Sequence, residues 1–343
     1  MSLSLSPAPR AHGGPDALGA PLYDFSTNSN ACGPCPQALA AVQAADATRY
    51  PDASYTALRA ALAAFHGVDA WRIVLAGSAS EFIFRITAWA VQQGARTVSF
   101  PTHAYGDYAH AAQAWGLNAA APGAVADLVW ACEPSSPLGQ RHSDWPAWLL
   151  DDALPAGRGK SLVLDCAYAP MRLDGTPSLS NAQRQRVWQL FSPNKALGLT
   201  GVRAAFAIAP LGAEAAALQL AALAASWPVG AHGVALLMAW TLPETQAWLQ
   251  TSLQTLAAWK QRQTGLLQAA GWTMQPSDTP FFVARPPAGI GAVALCAALR
   301  AQGIKLRDAT SFGLAGWVRM GVLAPDAQNA ILAGCNASTG WMA

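Results

Sequence analysis

Short apolar runs alternate along the chain with stretches whose apolar residues have helical spacing. The apolar runs predict buried strands at Trp71–Leu75, Thr97–Phe100, Asp127–Glu133, Ser161–Asp165, Val187–Phe191 and Ala204–Ala209. The helical stretches include Pro36–Ala45, Ser54–His66, Leu211–Ser226 and Ala231–Ala270, the last broken near Pro243. After Gly271 the predicted elements become short, which favours a small α+β domain completed by the N-terminal arm.

The length and composition limit the class of protein. A chain of 343 residues exceeds what one simple core usually holds, so we expect a large and a small domain. Hydrophobic residues make up 52% of the chain, yet no run approaches the roughly 18 uncharged apolar residues of a membrane span. The N-terminal segment has no basic region followed by an apolar one, so we predict a cytoplasmic protein without a signal peptide.

Charge and cysteine usage exclude further classes. A net charge of +2, without a basic run, argues against nucleic acid as a partner. The cysteines are scattered and mostly within apolar runs, as expected of reduced thiols. Only Cys32-Gly-Pro-Cys35 has thioredoxin-like spacing, and the polar run before it favours a turn over a redox site. We predict no metal site.

Lys195 lies on a loop between two predicted core strands, flanked by small and polar residues. A lysine at such a place is costly unless the protein uses it. Its neutral amine can form a Schiff base with an aldehyde, and the usual aldehyde cofactor is pyridoxal phosphate. A solvated surface lysine near an ion-paired arginine is the alternative.

The segment Ser192-Pro-Asn-Lys195-Ala-Leu-Gly-Leu-Thr-Gly-Val-Arg203 resembles the lysine loop of fold-type-I pyridoxal-phosphate enzymes of the class I/II aminotransferase family, in the histidinol-phosphate aminotransferase and threonine-phosphate decarboxylase branch. The resemblance implies that Lys195 carries pyridoxal 5'-phosphate and that Ser192 and Arg203 hold its phosphate. It also implies an α/β, aspartate-aminotransferase-like fold. A large domain (46–250) would contain a mostly parallel seven-stranded sheet between helices, and 1–45 with 251–343 would form the small α+β domain.

Asp165 ends an apolar run, as expected of a buried parallel strand that delivers a carboxylate to the sheet edge. A buried carboxylate must be paired. The chain resembles the family's Asp-Glu-Ala-Tyr motif here, which implies that Asp165 pairs with the pyridinium and Tyr168 with the ring oxygen. An aspartate that caps the next turn is the alternative. Ser136 replaces the asparagine that donates to the ring oxygen in the family's Pro-Asn-Asn-Pro motif.

The stretch Ser78-Ala79-Ser80-Glu81 has the spacing of a capping box, which predicts a helix N-terminus after a strand. A helix N-terminus offers free N–H groups to a phosphate. The resemblance points to Ala79 and Ser80 as ligands of the cofactor phosphate, although many ordinary helices begin in the same way.

Tyrosines carry two further implications of the resemblance. In the family a tyrosine stacks on the pyridine ring, and Tyr108 fits this position best, with Tyr105 as second choice. Another tyrosine reaches the cofactor phosphate of the neighbouring subunit, so Tyr50 implies a homodimer with shared active sites. A tyrosine packed before a turn proline is the alternative for Tyr50.

Candidate substrate ligands lie near both termini. Arg319 lies in an alternating strand, where a guanidinium can bind a carboxylate through two hydrogen bonds. The family uses this arginine for the substrate carboxylate, which leaves Arg307, and more weakly His12, for a substrate phosphate. Asn30 belongs to the polar run that is similar to the opening of threonine-phosphate decarboxylases. Surface ion pairing is the alternative for both arginines.

The resemblance predicts a pyridoxal-phosphate enzyme acting on a small, phosphorylated amino acid or amine. Because His12-Gly13-Gly14 is similar to the opening of threonine-phosphate decarboxylases, we predict a decarboxylase of that kind, in cobalamin side-chain synthesis. Histidinol-phosphate aminotransferase or a related aminotransferase is the alternative. Two other classes are disfavoured. A transcription regulator would need a DNA-binding domain before Leu22, for which we expect no room, and a nicotinamide dehydrogenase would need Gly-x-Gly-x-x-Gly after its first strand, where this sequence has no such motif.

Overall fold

The computed structural model describes residues 12–121, 124–151 and 160–339, so residues 1–11 of the predicted N-terminal arm lie outside it. The strands are β1 (Tyr23–Asp24), β2 (Ile73–Ala76), β3 (Thr97–Ser99), β4 (Asn118–Ala119), β5 (Leu128–Cys132), β6 (Ser161–Asp165), β7 (Trp188–Phe191), β8 (Ala205–Ile208), β9 (Thr273–Met274), β10 (Phe281–Arg285), β11 (Ile304–Lys305), β12 (Arg307–Asp308) and β13 (Val318–Gly321). The α-helices are α1 (Pro36–Gln43), α2 (Thr56–His66), α3 (Ala79–Gln92), α4 (Gly106–Ala114), α5 (Ala147–Leu150), α6 (Asn181–Arg184), α7 (Glu214–Ala222), α8 (Ala231–Trp240), α9 (Pro243–Ala269), α10 (Ala292–Ala301) and α11 (Pro325–Thr339).

Seven strands form the central sheet in the order β2-β8-β7-β6-β5-β3-β4. The neighbouring pairs from β4 to β7 are parallel, and β8 runs antiparallel to both of its neighbours. The predicted mostly parallel seven-stranded sheet is therefore confirmed. Strands β5 and β6 are buried on both faces, which explains why they appear in the sequence as continuous apolar runs.

Three hydrophobic clusters cover the faces of this sheet. Alternate residues of β2 point to opposite faces, so Val74 joins a cluster with Phe82 and Ile86 of α3, and Ile73 joins a second one with Leu236 of α8. The third cluster contains Leu162 and Leu164 of β6. The predicted break near Pro243 is confirmed, since proline has no N–H to donate and begins α9. None of the helices among the described residues has the length and apolarity that crossing a bilayer requires.

A smaller unit combines segments from both termini. Strands β12-β13-β10-β9 form an antiparallel sheet, and β1 pairs in parallel with β11. Phe25 from the N-terminal segment packs in one cluster with Phe282 and Met320. However, Ala38 of α1 belongs to a cluster of the central sheet, and α9 continues through residue 250. The exact domain bounds remain a prediction.

His66, the last residue of α2, lies in an aromatic cluster. Its ring centroid is 4.9 Å from those of Phe65 and Phe191 and 5.3 Å from that of Phe206. Nε2 is buried without a hydrogen-bond partner among the described residues. Burial therefore lowers the pKa of His66 from 6.5 to about 4.

Acid is expected to destabilise the protein through His66. The unfolded chain takes up this proton near pH 6.5 and the folded chain near pH 4, so the contribution is complete above pH 6.5 and is lost as pH falls to about 4. The loss amounts to at most about 3 kcal/mol. Urea unfolding of wild type and His66→Phe should show the wild type losing more stability over this range, because phenylalanine keeps the packing without titrating. Parallel pH profiles of the two proteins would contradict this assignment.

Candidate active site

The carboxyl ends of β5, β6 and β7 lie side by side because these strands are parallel neighbours. Asp165 ends β6, in register with Cys132 of β5 and Leu190 of β7. Lys195 lies in the turn that follows β7. Ligands of open α/β sheets bind at this edge. The topology thus brings the two residues on which the predicted chemistry depends to one edge of the sheet.

Neutral donors hold both oxygens of the Asp165 carboxylate, which is buried. Oδ1 accepts a hydrogen bond from the Ala167 backbone N–H at 2.9 Å, and Oδ2 accepts one from the Tyr108 hydroxyl at 2.7 Å. The turn-capping contact that was the alternative for Asp165 is therefore present. Even so, no lysine or arginine nitrogen of the described residues lies within 4.0 Å of the carboxylate. A buried carboxylate without a cation favours a cationic ligand beside it.

Tyr108 cannot stack on a ligand, which corrects our expectation for this residue. It is 0% exposed, and its ring stacks on Trp130 with centroids 4.5 Å apart and planes at 10°. Tyr105, the second choice, is only partly buried at the start of α4, and its hydroxyl lies 3.1 Å from Ser80 Oγ. Burial raises the pKa of the Tyr105 phenol well above its usual value, so the phenol stays protonated.

Lys195 has few polar contacts. Its Nζ donates to Ser192 Oγ at 3.5 Å and lies 5.2 Å from the centroid of the Tyr168 ring. No carboxylate of the described residues lies within 4.0 Å of the amine. Lys195 is only partly exposed, and no carboxylate of the described residues forms an ion pair with Arg203, so the alternative of a solvated surface lysine near an ion-paired arginine is not what the structure contains.

The predicted cap of α3 is present, with one difference. Ser78 Oγ accepts a hydrogen bond from the Glu81 backbone N–H at 3.0 Å. The Glu81 carboxylate accepts from the N–H of Gly77, one residue before the cap, and forms an ion pair with Arg85 at 2.9 Å. Arg85 neutralises the Glu81 carboxylate. The neutralised carboxylate therefore repels an anion at the helix N-terminus less than a free carboxylate would.

The predicted phosphate ligands lie around the same edge of the sheet. Ala79 and Ser80 are the first two residues of α3, where backbone N–H groups lack helical acceptors. Ser192 is buried directly after β7. Arg203 is exposed just before β8, whose first residues lie next to the carboxyl end of β7. The sheet order leaves these groups at the ends of neighbouring strands.

Asn28 is a residue of this region that sequence analysis missed. Its side-chain amide donates to the Tyr168 hydroxyl at 3.4 Å, and its Oδ1 is buried without a partner among the described residues. Asn30, the predicted substrate ligand, has used its polar atoms elsewhere: Nδ2 donates to the Ala196 carbonyl and to Ser252 Oγ, and Oδ1 accepts from a backbone N–H. Asn30 therefore attaches the N-terminal segment to the lysine loop, whereas Asn28 lies beside Tyr168. Both asparagines belong to one polar run, so the sequence offered no signal to choose between them.

Arg319 of β13 is a buried guanidinium. Its Nη2 donates to the Ser26 carbonyl at 2.6 Å, and its Nη1 lies 3.5 Å from Ser136 Oγ. Nε is buried without a hydrogen-bond partner, and no carboxylate of the described residues lies within 4.0 Å. Burial lowers the pKa of Arg319, although a guanidinium remains protonated at neutral pH. An anionic ligand would supply the missing countercharge.

Arg307 lies directly opposite Arg319 in the antiparallel register of β12 and β13. Its guanidinium donates to the Asp308 carbonyl at 2.6 Å and to Ser311 Oγ at 2.7 Å. Both arginines lie over the ring of Phe312, at 4.9 Å for Arg307 and 5.5 Å for Arg319. The structure therefore brings the two predicted substrate arginines together.

The described part of the N-terminal arm docks beside the site. Gly13 packs so tightly against the backbone of Ser26 that a Cβ atom would lie 2.2 Å from its carbonyl oxygen. Lys305 donates to the Gly14 carbonyl at 2.6 Å. His12 is exposed, and its ring centroid lies 6.3 Å from that of Tyr105. His12 thus lies near Tyr105, the second choice for the stacking residue.

Two contacts across the site involve residues that sequence analysis did not single out. Arg172, largely buried, bridges Glu133 at 2.9 Å and Asp278 at 3.1 Å, and so joins the segment after β5 to the segment before β10. On the other side, Nδ1 of His103 lies 2.6 Å from the Phe312 carbonyl oxygen and donates to it. Such pairings of distant segments leave no local pattern.

Tyr50 faces solvent. It is 77% exposed, and its ring stacks on Trp227 with centroids 4.3 Å apart. The Trp227 indole N–H donates to the Pro51 carbonyl at 3.0 Å. Trp227 therefore packs on one face of the Tyr50 ring, as the alternative of a packed tyrosine requires, while most of the ring stays exposed.

The thiols of the Cys32-Gly-Pro-Cys35 turn point to different partners. Cys32 Sγ donates to the Ser252 carbonyl at 3.7 Å, and Cys35 Sγ donates to Gln37 Oε1 at 3.4 Å. Both are free thiols, and Cys35 is completely buried as the residue before α1. This arrangement is that of a structural turn.

Comparisons with known proteins agree with this geometry. The sequence model of the family Aminotransferase class I and II matches residues 114–334. The chain is 28% identical over 336 residues to a histidinol-phosphate aminotransferase of Jannaschia sp. (strain CCS1), with 91% of this chain and 90% of that protein covered.

Solved structures share the fold. The crystal structure of histidinol-phosphate aminotransferase from Sinorhizobium meliloti in complex with pyridoxal-5'-phosphate superposes with a TM-score of 0.76 at 22% identity, covering 92% of this chain and 90% of the other. The L-threonine-O-3-phosphate decarboxylase from Porphyromonas gingivalis superposes with a TM-score of 0.72 at 19% identity, covering 92% and 99%.

Proposed function

Because the chain belongs to the aminotransferase class I and II family, we propose that it is a pyridoxal-phosphate-dependent aminotransferase of the histidinol-phosphate kind, acting on a small phosphorylated amino acid or amine. Membership confirms the family resemblance of the Lys195 loop. Histidinol-phosphate aminotransferases align with nine tenths of the chain, so an aminotransferase has more support than the decarboxylase that the N-terminal motif had favoured.

The observation that carries the proposal is the Asp165 carboxylate. This carboxylate is buried, oriented by two neutral donors and without a cation among the described residues. The Lys195 amine lies at the same sheet edge and has no carboxylate partner among the described residues. A protonated pyridine nitrogen and an aldehyde are the two groups that would satisfy both residues. Asn28 Oδ1 and Arg319 Nε are buried without a hydrogen-bond partner among the described residues and provide further polar atoms for a ligand. The residues therefore fit pyridoxal phosphate.

When bound, pyridoxal phosphate supplies an electron sink that stabilises negative charge on the substrate α-carbon. Asp165 would keep the ring nitrogen protonated, and Tyr168 with Ser136 would face the ring oxygen. Tyr105 would cover the ring. The Lys195 amine, once free, would carry the proton to and from the α-carbon.

The turn at Ala79 and Ser80, with Ser192 and Arg203, would hold the cofactor phosphate. Tyr50 belongs to this proposal as well, because a ring exposed to 77% is available to a second subunit. A homodimer in which Tyr50 completes the neighbouring phosphate site follows from the proposal. Size-exclusion chromatography with light scattering measures the oligomeric state directly.

Arg319 and Arg307 would bind the anionic groups of the substrates. Replacing Arg319 by glutamine should raise KM for an anionic substrate by about 30-fold or more, since losing one partner of a buried charge pair costs about 2 kcal/mol or more. The measurement is KM and kcat for donor and acceptor separately. Arg285→Gln is the control, because Arg285 is exposed on β10 and stacks on Trp317. An unchanged KM for both substrates would remove Arg319 from the binding site.

The assay that tests the proposed function compares two reactions. Histidinol phosphate with 2-oxoglutarate should give glutamate in the presence of pyridoxal phosphate. O-phosphothreonine should give neither carbon dioxide nor aminopropanol phosphate. Carbon dioxide without amino transfer would reverse the assignment.

A threonine-phosphate decarboxylase is the second candidate, and the N-terminal arm favours it. The tight contact of Gly13 with Ser26 and the position of His12 near Tyr105 fit an arm that covers the substrate. The proposed cofactor and substrate residues serve either reaction, because the choice depends on which substrate bond is held perpendicular to the ring.

A further inference from the structure

Tyr108 contacts Asp165 and would act on the proposed cofactor only through this carboxylate. Its hydroxyl donates to Asp165 Oδ2 at 2.7 Å, and its ring is completely buried. We propose that Tyr108 is a positioning residue, which fixes the plane of the Asp165 carboxylate so that this carboxylate meets the cofactor's ring nitrogen. The inference rests on the proposed function and assigns this residue a role other than the stacking expected from the sequence.

Two anchors define the carboxylate. The Ala167 N–H holds Oδ1 and the Tyr108 hydroxyl holds Oδ2, one on each oxygen. Each oxygen keeps lone-pair capacity for one more donor. Without the phenol, the Ala167 N–H would be the one remaining donor to this carboxylate among the described residues, and the carboxylate could rotate about its terminal bond, whose torsional well is broad. The phenol thus restricts the rotation of the Asp165 carboxylate, which the backbone at the end of β6 would not restrict by itself.

The phenol itself has little freedom. Trp130, on the strand next to β6, stacks on one face of its ring, and Tyr105 meets it edge-on at 5.9 Å and 84°. Burial and the nearby Asp165 carboxylate raise the pKa of Tyr108 well above its usual value, so the phenol remains a proton donor. Complete burial also means that no solvent molecule replaces the hydroxyl without a rearrangement.

A double-mutant cycle separates a role through Asp165 from simple packing. The dissociation constant of pyridoxal phosphate is measured for wild type, Tyr108→Phe, Asp165→Asn and the double variant. Tyr108→Phe should weaken binding about tenfold in the wild-type background, the size of one charge-assisted hydrogen bond. In the Asp165→Asn background it should change binding less than about twofold. Tyr105→Phe is the matched control, because its hydroxyl contacts Ser80, so its effect should be equal in both backgrounds.

If Asp165→Asn binds pyridoxal phosphate too weakly to measure, a second ligand provides the same test. The probe is a pyridoxal phosphate analogue with carbon in place of the ring nitrogen. Tyr108→Phe should lose about tenfold on pyridoxal phosphate and less than about twofold on this analogue. Thermal unfolding of each protein without cofactor monitors folding independently.

Several outcomes would overturn the inference. Equal losses in both backgrounds or on both ligands would make Tyr108 a packing residue only. Unchanged affinity in Tyr108→Phe would make the hydroxyl dispensable. If the wild-type protein itself binds no pyridoxal phosphate, the proposed function fails, and this result differs from any in which only the variant behaves like wild type.

Discussion

Replacing Lys195 by alanine is expected to lower turnover by about 10³-fold or more. The Lys195 amine would both attach the cofactor and move the proton at the α-carbon, and positioned proton transfer alone contributes about 10²- to 10⁴-fold. Among the described residues, no other lysine amine contacts Ser192 or the Tyr168 ring. Within the described part of the chain, no second lysine is therefore placed to substitute for it.

Two measurements check the Lys195 prediction. Borohydride reduction of the cofactor-treated protein, followed by peptide mass spectrometry, should label Lys195 in wild type and leave Lys195→Ala unlabelled. Lys160→Ala is the control. Lys160 donates to the Val125 carbonyl and lies near Asp127, so this variant should keep full activity and label. Label on another lysine, or retained turnover in Lys195→Ala, would refute the assignment.

Asp165→Asn is expected to reduce kcat/KM by about three orders of magnitude. The change keeps the shape of the side chain and removes its charge. A charge pair about 4 Å apart at an effective dielectric constant of about 20 is worth about 4 kcal/mol, which corresponds to about 10³ in rate if the pair is present in the transition state. The proposed cofactor would lose the ion pair that keeps its ring nitrogen protonated.

The measurements for Asp165 are kcat/KM and the affinity for pyridoxal phosphate. Asp174→Asn provides a matched control, since Asp174 is exposed and its carboxylate accepts from the N–H of Gly175. Activity within about twofold of wild type in Asp165→Asn would mean that the carboxylate serves only to cap its turn, the contact that it makes to Ala167.

The two ion pairs of Arg172 connect segments on which the proposed site depends. Glu133 directly follows β5 and leads into the loop with Ser136, and Asp278 precedes β10, the neighbour of the strand with Arg319. One guanidinium therefore links the segment facing the proposed ring oxygen to the sheet that carries the substrate arginines. Substitutions there would alter the site without contacting any ligand.

Sequence patterns predicted the elements and several site residues because their signals are local. A buried strand is a continuous apolar run, and a charged residue directly after it must lie at a sheet edge. This reasoning located Asp165 and Lys195, and the strand order then put both at one edge. Arg319 was predicted differently, from its place in an alternating strand together with the family resemblance of its segment.

What the sequence did not determine were choices between near neighbours. Tyr105 and Tyr108 are separated by one helical turn, and only the packing of Trp130 on Tyr108 decides which ring is left for a ligand. Asn28 and Asn30 lie in one polar run. Only the docking of that run on the lysine loop engages Asn30 and leaves the Asn28 oxygen without a partner among the described residues.

The sequence by itself thus determined the main strands and helices and which strand ends carry charge, and its family resemblance implied the mostly parallel sheet. The tertiary structure decided which side chains face the site and which support it, including the Tyr108 contact to Asp165 and the Arg172 bridge. The physical reason is range: strand and helix periodicity depends on neighbouring residues, whereas burial and pairing of a polar group depend on segments far apart in the chain.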